Sequence, residues 1–237
     1  MFFRKKSPIA AVIPAAGSAS RMKGKDKIFL ELEGVPVIIR TLMIFENHPE
    51  ISEIVVPTRE DAIPALIALC DEYKVTKATK IIAGGETRVH SVLNGLRVVD
   101  KKCGYVAIHD GARPFITPQI ISDTIAAARK FHAAAPMIPI VDTVKELDGY
   151  FTSKTVDRDK LCAIQTPQIF DRELILGALY NAVEKSLPIT DDCSAVELLG
   201  GKIALTQGDV FNRKITTPED IVFARAILES KGDTKCE

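Results

Sequence analysis

The chain has no surplus of either charge: 31 Lys and Arg stand against 31 Asp and Glu in 237 residues. A dedicated nucleic-acid coat needs a basic excess, so no nucleic-acid partner is expected. Cysteine is scarce and scattered. Of five, the closest pair, Cys162 and Cys193, lies 31 residues apart, no CxxC occurs, and the four histidines are equally dispersed. This spacing argues against a zinc site or a disulfide framework and suits a reducing compartment. No run approaches the ~18 apolar residues of a membrane span, so no membrane partner is expected. Internal repeats and low-complexity linkers are also missing. Apolar residues at 46% and charged residues at 26% exclude disorder, collagen and coiled coil as readings of the whole chain. The length is enough to bury a sizeable core within one domain.

The charge balance hides a local asymmetry. Residues 1–27 carry seven basic side chains against Asp26 alone. A positive segment in a neutral protein points to a small anionic ligand. Arg4, Lys5 and Lys6 ahead of an apolar stretch resemble the start of an export leader. That stretch is short and broken by Pro14, and its removal would take away the first expected strand. A cytoplasmic location is therefore expected.

Apolar runs at 9–13, 54–56, 81–83, 105–108 and 137–141 read as strands, and helical spacing marks 36–47, 61–73, 88–99 and 117–132. The regular alternation predicts an α/β fold, a mostly parallel sheet with helices on both faces. In such sheets ligands bind at the carboxyl ends of the strands. The loops near Ala15, Gly85 and Asp110 should then share one rim. Residues 142–160 break the rhythm. Asp148-Gly149 between alternating residues predicts a β-hairpin projecting from the core as an arm. Beyond it come helices at 172–184 and from near Asp191, a strand at 203–207, and a last helix from Pro218 to Leu228. Thr217-Pro218-Glu219-Asp220 supplies a capping hydroxyl, a first-turn proline and acids at the positive helix end.

Three post-strand loops carry candidate chemistry. PAAGSASRM, residues 14–22, has small residues whose backbone N–H groups can cradle phosphates, with Arg21 and Lys27 as fixed charges. It lacks the Walker GKS or GKT and the dinucleotide GxGxxG, which disfavours a dehydrogenase. GGETRVHS, residues 84–91, allows close backbone approach, and Glu86 or Ser91 can read the polar edge of a base. HDGARP, residues 109–114, places Asp110 where a carboxylate can hold Mg²⁺. His109 reads as a satisfied strand-end histidine. TVDR, QTPQ, TDDCS and NRKI add a polar rim.

In order, AVIPAAGSASRM, GGETRVHSV, HDGARP, TVDR, QTPQ, TDDCS and NRKITTPED resemble the 2-C-methyl-D-erythritol 4-phosphate cytidylyltransferase family over about residues 9–228. The resemblance implies a Rossmann-like nucleotidyltransferase domain over 1–237, with residues 139–160 as a dimerisation arm within it. It implies CTP and the alditol phosphate as substrates and Mg²⁺ as cofactor. It also implies a homodimer whose arms reach the neighbouring site. Pro14, Ala15, Ala16 and Gly17 would lie along CTP with Arg21 and Lys27 on its triphosphate. Gly85, Glu86 and Ser91 would sit by cytosine. Asp110, Ala112 and Arg113 would face the ribose, metal and sugar phosphate. Thr143 and Arg158 would come from the partner's arm, and Thr166, Thr190 and Lys214 would complete the acceptor pocket. Arg21, Lys27, Arg158 and Lys214 would be the catalytic cations. Ala19 and Ile28 depart from the family pattern, where glycine and glutamine are usual.

The implied reaction is in-line attack of the acceptor phosphate on the α-phosphorus of CTP, with loss of pyrophosphate. A phosphate monoester has a second pKa of about 6, so it is already mostly ionised at pH 7 and needs no general base. A pentitol-phosphate cytidylyltransferase is the alternative within the same chemistry, and a silent nucleotide-binding module the alternative outside it.

Overall fold

A computed structural model describes residues 7–17 and 29–230. The loop positions Ala19, Arg21, Lys27 and Ile28 lie outside the described residues. The first strand, β1 (Ile9–Val12), is buried along its whole length. Its alternation splits the core in two, as strand geometry requires. Ile9, Ala11 and Ile13 face one apolar cluster, and Ala10 and Val12 face the other.

A two-residue ladder of β2 (Glu31–Leu32) and β3 (Val35–Pro36) leads into α1 (Val37–Glu46). Then follow β4 (Ile51–Thr58), α2 (Ile63–Glu72), β5 (Lys80–Ala83), α3 (Arg88–Val98), β6 (Tyr105–Ile108) and α4 (Pro118–Phe131). The first cluster takes Ile38, Leu42 and Phe45 from α1, Leu66 from α2 and Ile121 and Ile125 from α4. The second takes Val92 and Leu96 from α3. Helices thus cover both faces, and the parallel set β5-β4-β1-β6 forms as expected.

The expected strand at 137–141 is instead β7 (Ala133–Pro139). His132, at φ +70°, ends α4 in the left-handed region and turns the chain at once, so the buried Ala133, Ala134 and Ala135 enter the sheet. Weak alanine periodicity hid this start. The expected hairpin is β8 (Lys145–Asp148) and β9 (Phe151–Thr155), joined through Gly149 at φ +58° and exposed at every residue of both strands. The motif read as a polar rim at 165–168 joins two unforeseen strands, β10 (Cys162–Ile164) and β11 (Gln168–Asp171). Both run antiparallel to β7, and β11 is also antiparallel to β6. Sequence alternation could not show this, because a three- or four-residue strand has almost no period.

The second face is completed by α5 (Arg172–Glu184) and α6 (Asp192–Glu197). β12 (Ala204–Gln207) lies parallel on the other edge of β7. Finally α7 (Pro218–Ser230) closes a small cluster with Leu32, Ala112 and Phe115. Its start differs from the expected cap. The Thr217 hydroxyl donates to Asp220, whose carboxylate also accepts the backbone N–H groups of Thr216 and Thr217.

Candidate active site

Because β1, β5 and β6 run in one direction, their trailing loops meet. They enclose a cavity of about 360 Å³. Its walls are Pro14 to Gly17 after β1, Gly85 to Arg88 with Ser91 at the β5–α3 junction, and Asp110 to Ala112 after β6, with Lys214 from the far end of the chain. This is the shared rim that the alternation predicts.

The first two loops touch through small residues. A Cβ on Gly84 would fall 2.7 Å from Ala16 Cβ and 2.9 Å from Ser91 Oγ, so only glycine fits. The Ser91 hydroxyl accepts the Gly85 N–H at 3.0 Å and lies 3.1 Å from Thr87 O, which it can donate to. Ser91 therefore shapes the turn and also lines the cavity, where it or Glu86 was expected to meet a base. Glu86 is exposed on the cavity wall. α3 begins directly beneath, with Thr87 accepting the His90 N–H as its cap.

Asp110 is the electrostatic centre. It is 6% exposed. Its carboxylate meets Arg88 Nε at 3.4 Å, Arg113 Nε at 3.1 Å and Lys214 Nζ at 3.2 Å. Burial alone would raise its pKa. Lys214, Arg88 and Arg113 instead hold it well below the usual carboxylate range. Lys214 reaches it because Ile215 N–H donates to Ala112 O at 2.8 Å and Arg113 Nη1 donates to Asn212 O at 2.8 Å. These two bonds stitch the 212–215 segment onto the 110–113 turn.

His109 is fully buried, with Nδ1 2.9 Å from the Thr166 hydroxyl and Nε2 3.2 Å from Arg113 O. Burial lowers its pKa to about 4, so it stays neutral, a satisfied core histidine as expected. Thr166 also accepts the Asp110 N–H at 3.3 Å. Its hydroxyl thus links His109 to the Asp110 turn, and Thr166, expected at the acceptor pocket, is buried and does not line this cavity.

The neighbouring glutamines have the same structural character. Gln165 accepts from Asn212 Nδ2 at 3.2 Å and donates to Asp209 O at 2.8 Å. Gln168 donates to Asp191 at 2.7 Å and accepts the Cys193 N–H at 3.0 Å. The QTPQ segment thus ties three loops to the sheet around Asp110.

Of the other expected site residues, Thr143, Arg158 and Thr190 are exposed and are not among the residues lining this cavity within one chain. Arg158 Nη1 donates to Val141 O at the base of the arm. Sequence reasoning missed Arg88 and Asp192. They meet at 2.7 Å across a separation of 104 residues. Both lie inside the motifs GGETRVHS and TDDCS, but only the fold pairs them. Burial opposes the charge on Arg88, and Asp192 and Asp110 more than offset it, so its pKa is raised.

Among the described residues no group of three His, Cys, Asp or Glu could hold a metal ion, and no helix is long and apolar enough to cross a membrane.

Comparisons with known proteins agree with this geometry. The family model for 2-C-methyl-D-erythritol 4-phosphate cytidylyltransferase matches residues 9–230. Enzymes of that name from Halalkalibacterium halodurans and Caldanaerobacter subterraneus are 43% and 44% identical, covering 94% and 93% of this chain and 97% and 98% of their own. The crystal structure of 4-diphosphocytidyl-2C-methyl-D-erythritol synthase from Anaerococcus prevotii superposes with a TM-score of 0.85 at 33% identity, covering 94% of this chain and 96% of that one. The Thermus thermophilus cytidylyltransferase follows at a TM-score of 0.79 and 31% identity, covering 94% and 99%. The chain belongs to the 2-C-methyl-D-erythritol 4-phosphate cytidylyltransferase family.

Proposed function

We propose that this chain transfers CMP from CTP to 2-C-methyl-D-erythritol 4-phosphate, giving 4-diphosphocytidyl-2-C-methyl-D-erythritol and pyrophosphate. It is a nucleotidyltransferase of a family in the non-mevalonate isoprenoid pathway. The observation that carries the reading is the cavity at the strand ends, with the small-residue turns at 14–17 and 85 on one side and Asp110 among three cations on the other. The pentitol-phosphate alternative is not favoured, since the relatives above carry the methylerythritol name over nearly their full length.

The obstacle to the reaction is repulsion between two anions, so catalysis is positioning and charge neutralisation. Pro14 to Gly17 and Gly85 receive the nucleotide along their backbone. Lys214 and Arg113 draw in the acceptor, with Arg21 and Lys27 assigned to the triphosphate. Thr143 and Arg158 of the partner subunit, with Thr166 and Thr190, complete the acceptor pocket.

Mg²⁺ fits this donor set as a companion of the nucleotide. Asp110, Asp192, Arg88, Arg113 and Lys214 together carry three positive charges against two negative. A bare dication is therefore not invited. Mg²⁺ keeps several waters and binds through one or two carboxylates plus substrate phosphates. Asp110 would hold it, and the ion would supply charge neutralisation between the phosphates.

The exposed arm, with Leu147 at 79% and Phe151 at 78% accessible, supports a homodimer through residues 139–160 of the single domain. A cytoplasmic location is part of the same reading.

The deciding assay incubates the protein and Mg²⁺ with CTP and either 2-C-methyl-D-erythritol 4-phosphate or ribitol 5-phosphate. Pyrophosphate should appear with the first. Faster release with ribitol 5-phosphate would overturn the acceptor, and CTP binding with no release would overturn the enzyme.

A further inference from the structure

Asp192 is 0% exposed, yet within the described residues its carboxylate has one partner. Oδ2 takes Arg88 Nη2 at 2.7 Å, and Oδ1 is buried with no hydrogen bond. A buried charge satisfied on one side only is unfavourable in folding terms. Its helix does not account for it. The start of α6 is capped by the neighbouring residue, where Asp191 accepts the Ser194 N–H and Ser194 reaches back in a capping box. Asp192 is thus spare for the cap and is spent on Arg88.

Arg88 lines the cavity and is shared unequally. It is held at 2.7 Å by Asp192 and more loosely, at 3.4 Å, by Asp110. A guanidinium that lost Asp192 would be drawn fully onto Asp110, because bidentate Arg–carboxylate pairing is the strong arrangement. It would then cover what remains exposed of Asp110 on the cavity wall.

We propose that Asp192 is a positioning residue for the nucleotidyl transfer, holding the Arg88 guanidinium between two carboxylates at the cavity wall so that it does not close fully over Asp110. This deepens the cytidylyltransferase reading and rests on it.

The test is a double-mutant cycle on the full-length enzyme with Asp192→Asn, Arg88→Met and the double variant. CTP affinity is read by calorimetry, and kcat and KM from pyrophosphate release. Asp192→Asn should weaken CTP binding and raise KM for CTP about tenfold, while KM for the acceptor and the unfolding midpoint move little; a tenfold change is about 1.4 kcal/mol. In the Arg88→Met background the same substitution should change CTP affinity less than twofold, since Asp192 acts only through Arg88. Equal losses in both backgrounds, or unchanged CTP affinity in Asp192→Asn, would overturn the proposal. Should Asp192→Asn fail to fold, Arg88→Lys decides. It keeps the charge but cannot fork between two carboxylates, and should show the same rise in KM for CTP. A wild-type KM there would overturn the proposal. Absence of pyrophosphate from the wild-type protein would instead sink the functional reading, and the CTP calorimetry would still judge the cycle.

Discussion

Lys214 sits with its amine 3.2 Å from Asp110 and its side chain 35% exposed, so truncating it removes charge and opens no core cavity. Lys214→Ala should lower kcat by about 10²–10³, by analogy with the loss of one oxyanion donor, with an unfolding midpoint close to wild type. Arg21→Ala and Lys27→Ala should behave alike. Near-normal turnover with CTP saturating would remove the residue concerned from the mechanism. Excess chelator should abolish turnover and added Mg²⁺ restore it, because the donor set around Asp110 leaves the ion to the nucleotide. His109 makes a different, stability-level prediction. Its folded pKa of about 4 lies below the unfolded value of about 6.5. Between those values the unfolded chain binds more protons, so stability rises with pH across the window and is full above about pH 6.5. The slope from this group is at most about 1.4 kcal/mol per pH unit. Denaturant unfolding from pH 4 to 7 should show a shallower slope in His109→Asn, and an identical slope would remove His109 as the cause.

At the level of elements, helix and strand approach each other only as far as small residues permit. α3 crosses β1 at Gly95, where an added Cβ would lie 2.6 Å from Val12 Cγ1 and 3.0 Å from Pro57. Gly95→Ala should destabilise the protein by about 1–3 kcal/mol through overpacking, despite alanine's better helix propensity. The chemistry sits at the other end of the helix, so kcat per folded molecule should be retained. A raised unfolding midpoint would show that propensity outweighs the clash. The short strands β10 and β11 do a separate job. Because Gln165, Thr166 and Gln168 reach the 209–212, 109–110 and 191–193 segments, they hold the far chain against the parallel half of the sheet.

At the scale of the molecule, the arm leaves an apolar surface uncovered. Leu147, Tyr150 and Phe151 stand almost fully exposed on a two-stranded hairpin, which is marginal in water by itself. A symmetric partner offering the same surface is the simplest cover. If Arg158 serves the neighbouring site, mixing Arg158→Ala with Lys27→Ala protein should restore activity. Each heterodimer then has one intact site, with both lesions in the other, and should approach about half the wild-type dimer rate. No recovery, with exchange shown by a mass-tagged subunit, would assign each Arg158 to its own chain. Sedimentation should report a dimer.

The parallel half of the sheet was legible in sequence because its strands are continuous apolar runs, set apart by helices with a clear 3.6-residue period. The glycine positions were legible for a related reason. Gly84 and Gly149 follow from local rules of close approach and turn geometry. The early start of β7 and the strands β10 and β11 were not, since three alanines or four mixed residues carry no period and enter the sheet only when neighbours supply the hydrogen bonds. The site divides the same way. Asp110 stood out as a polar residue ending a strand, and Lys214 through its motif. The pairing of Arg88 with Asp192 and the internal hydrogen bonds of Ser91 and Thr166 rest on contacts between residues far apart in the chain or on which way a hydroxyl turns. Local sequence encodes residue type and period. Which buried charge answers which is decided by packing, because only the folded interior brings them within 3 Å and removes the water that would otherwise satisfy both.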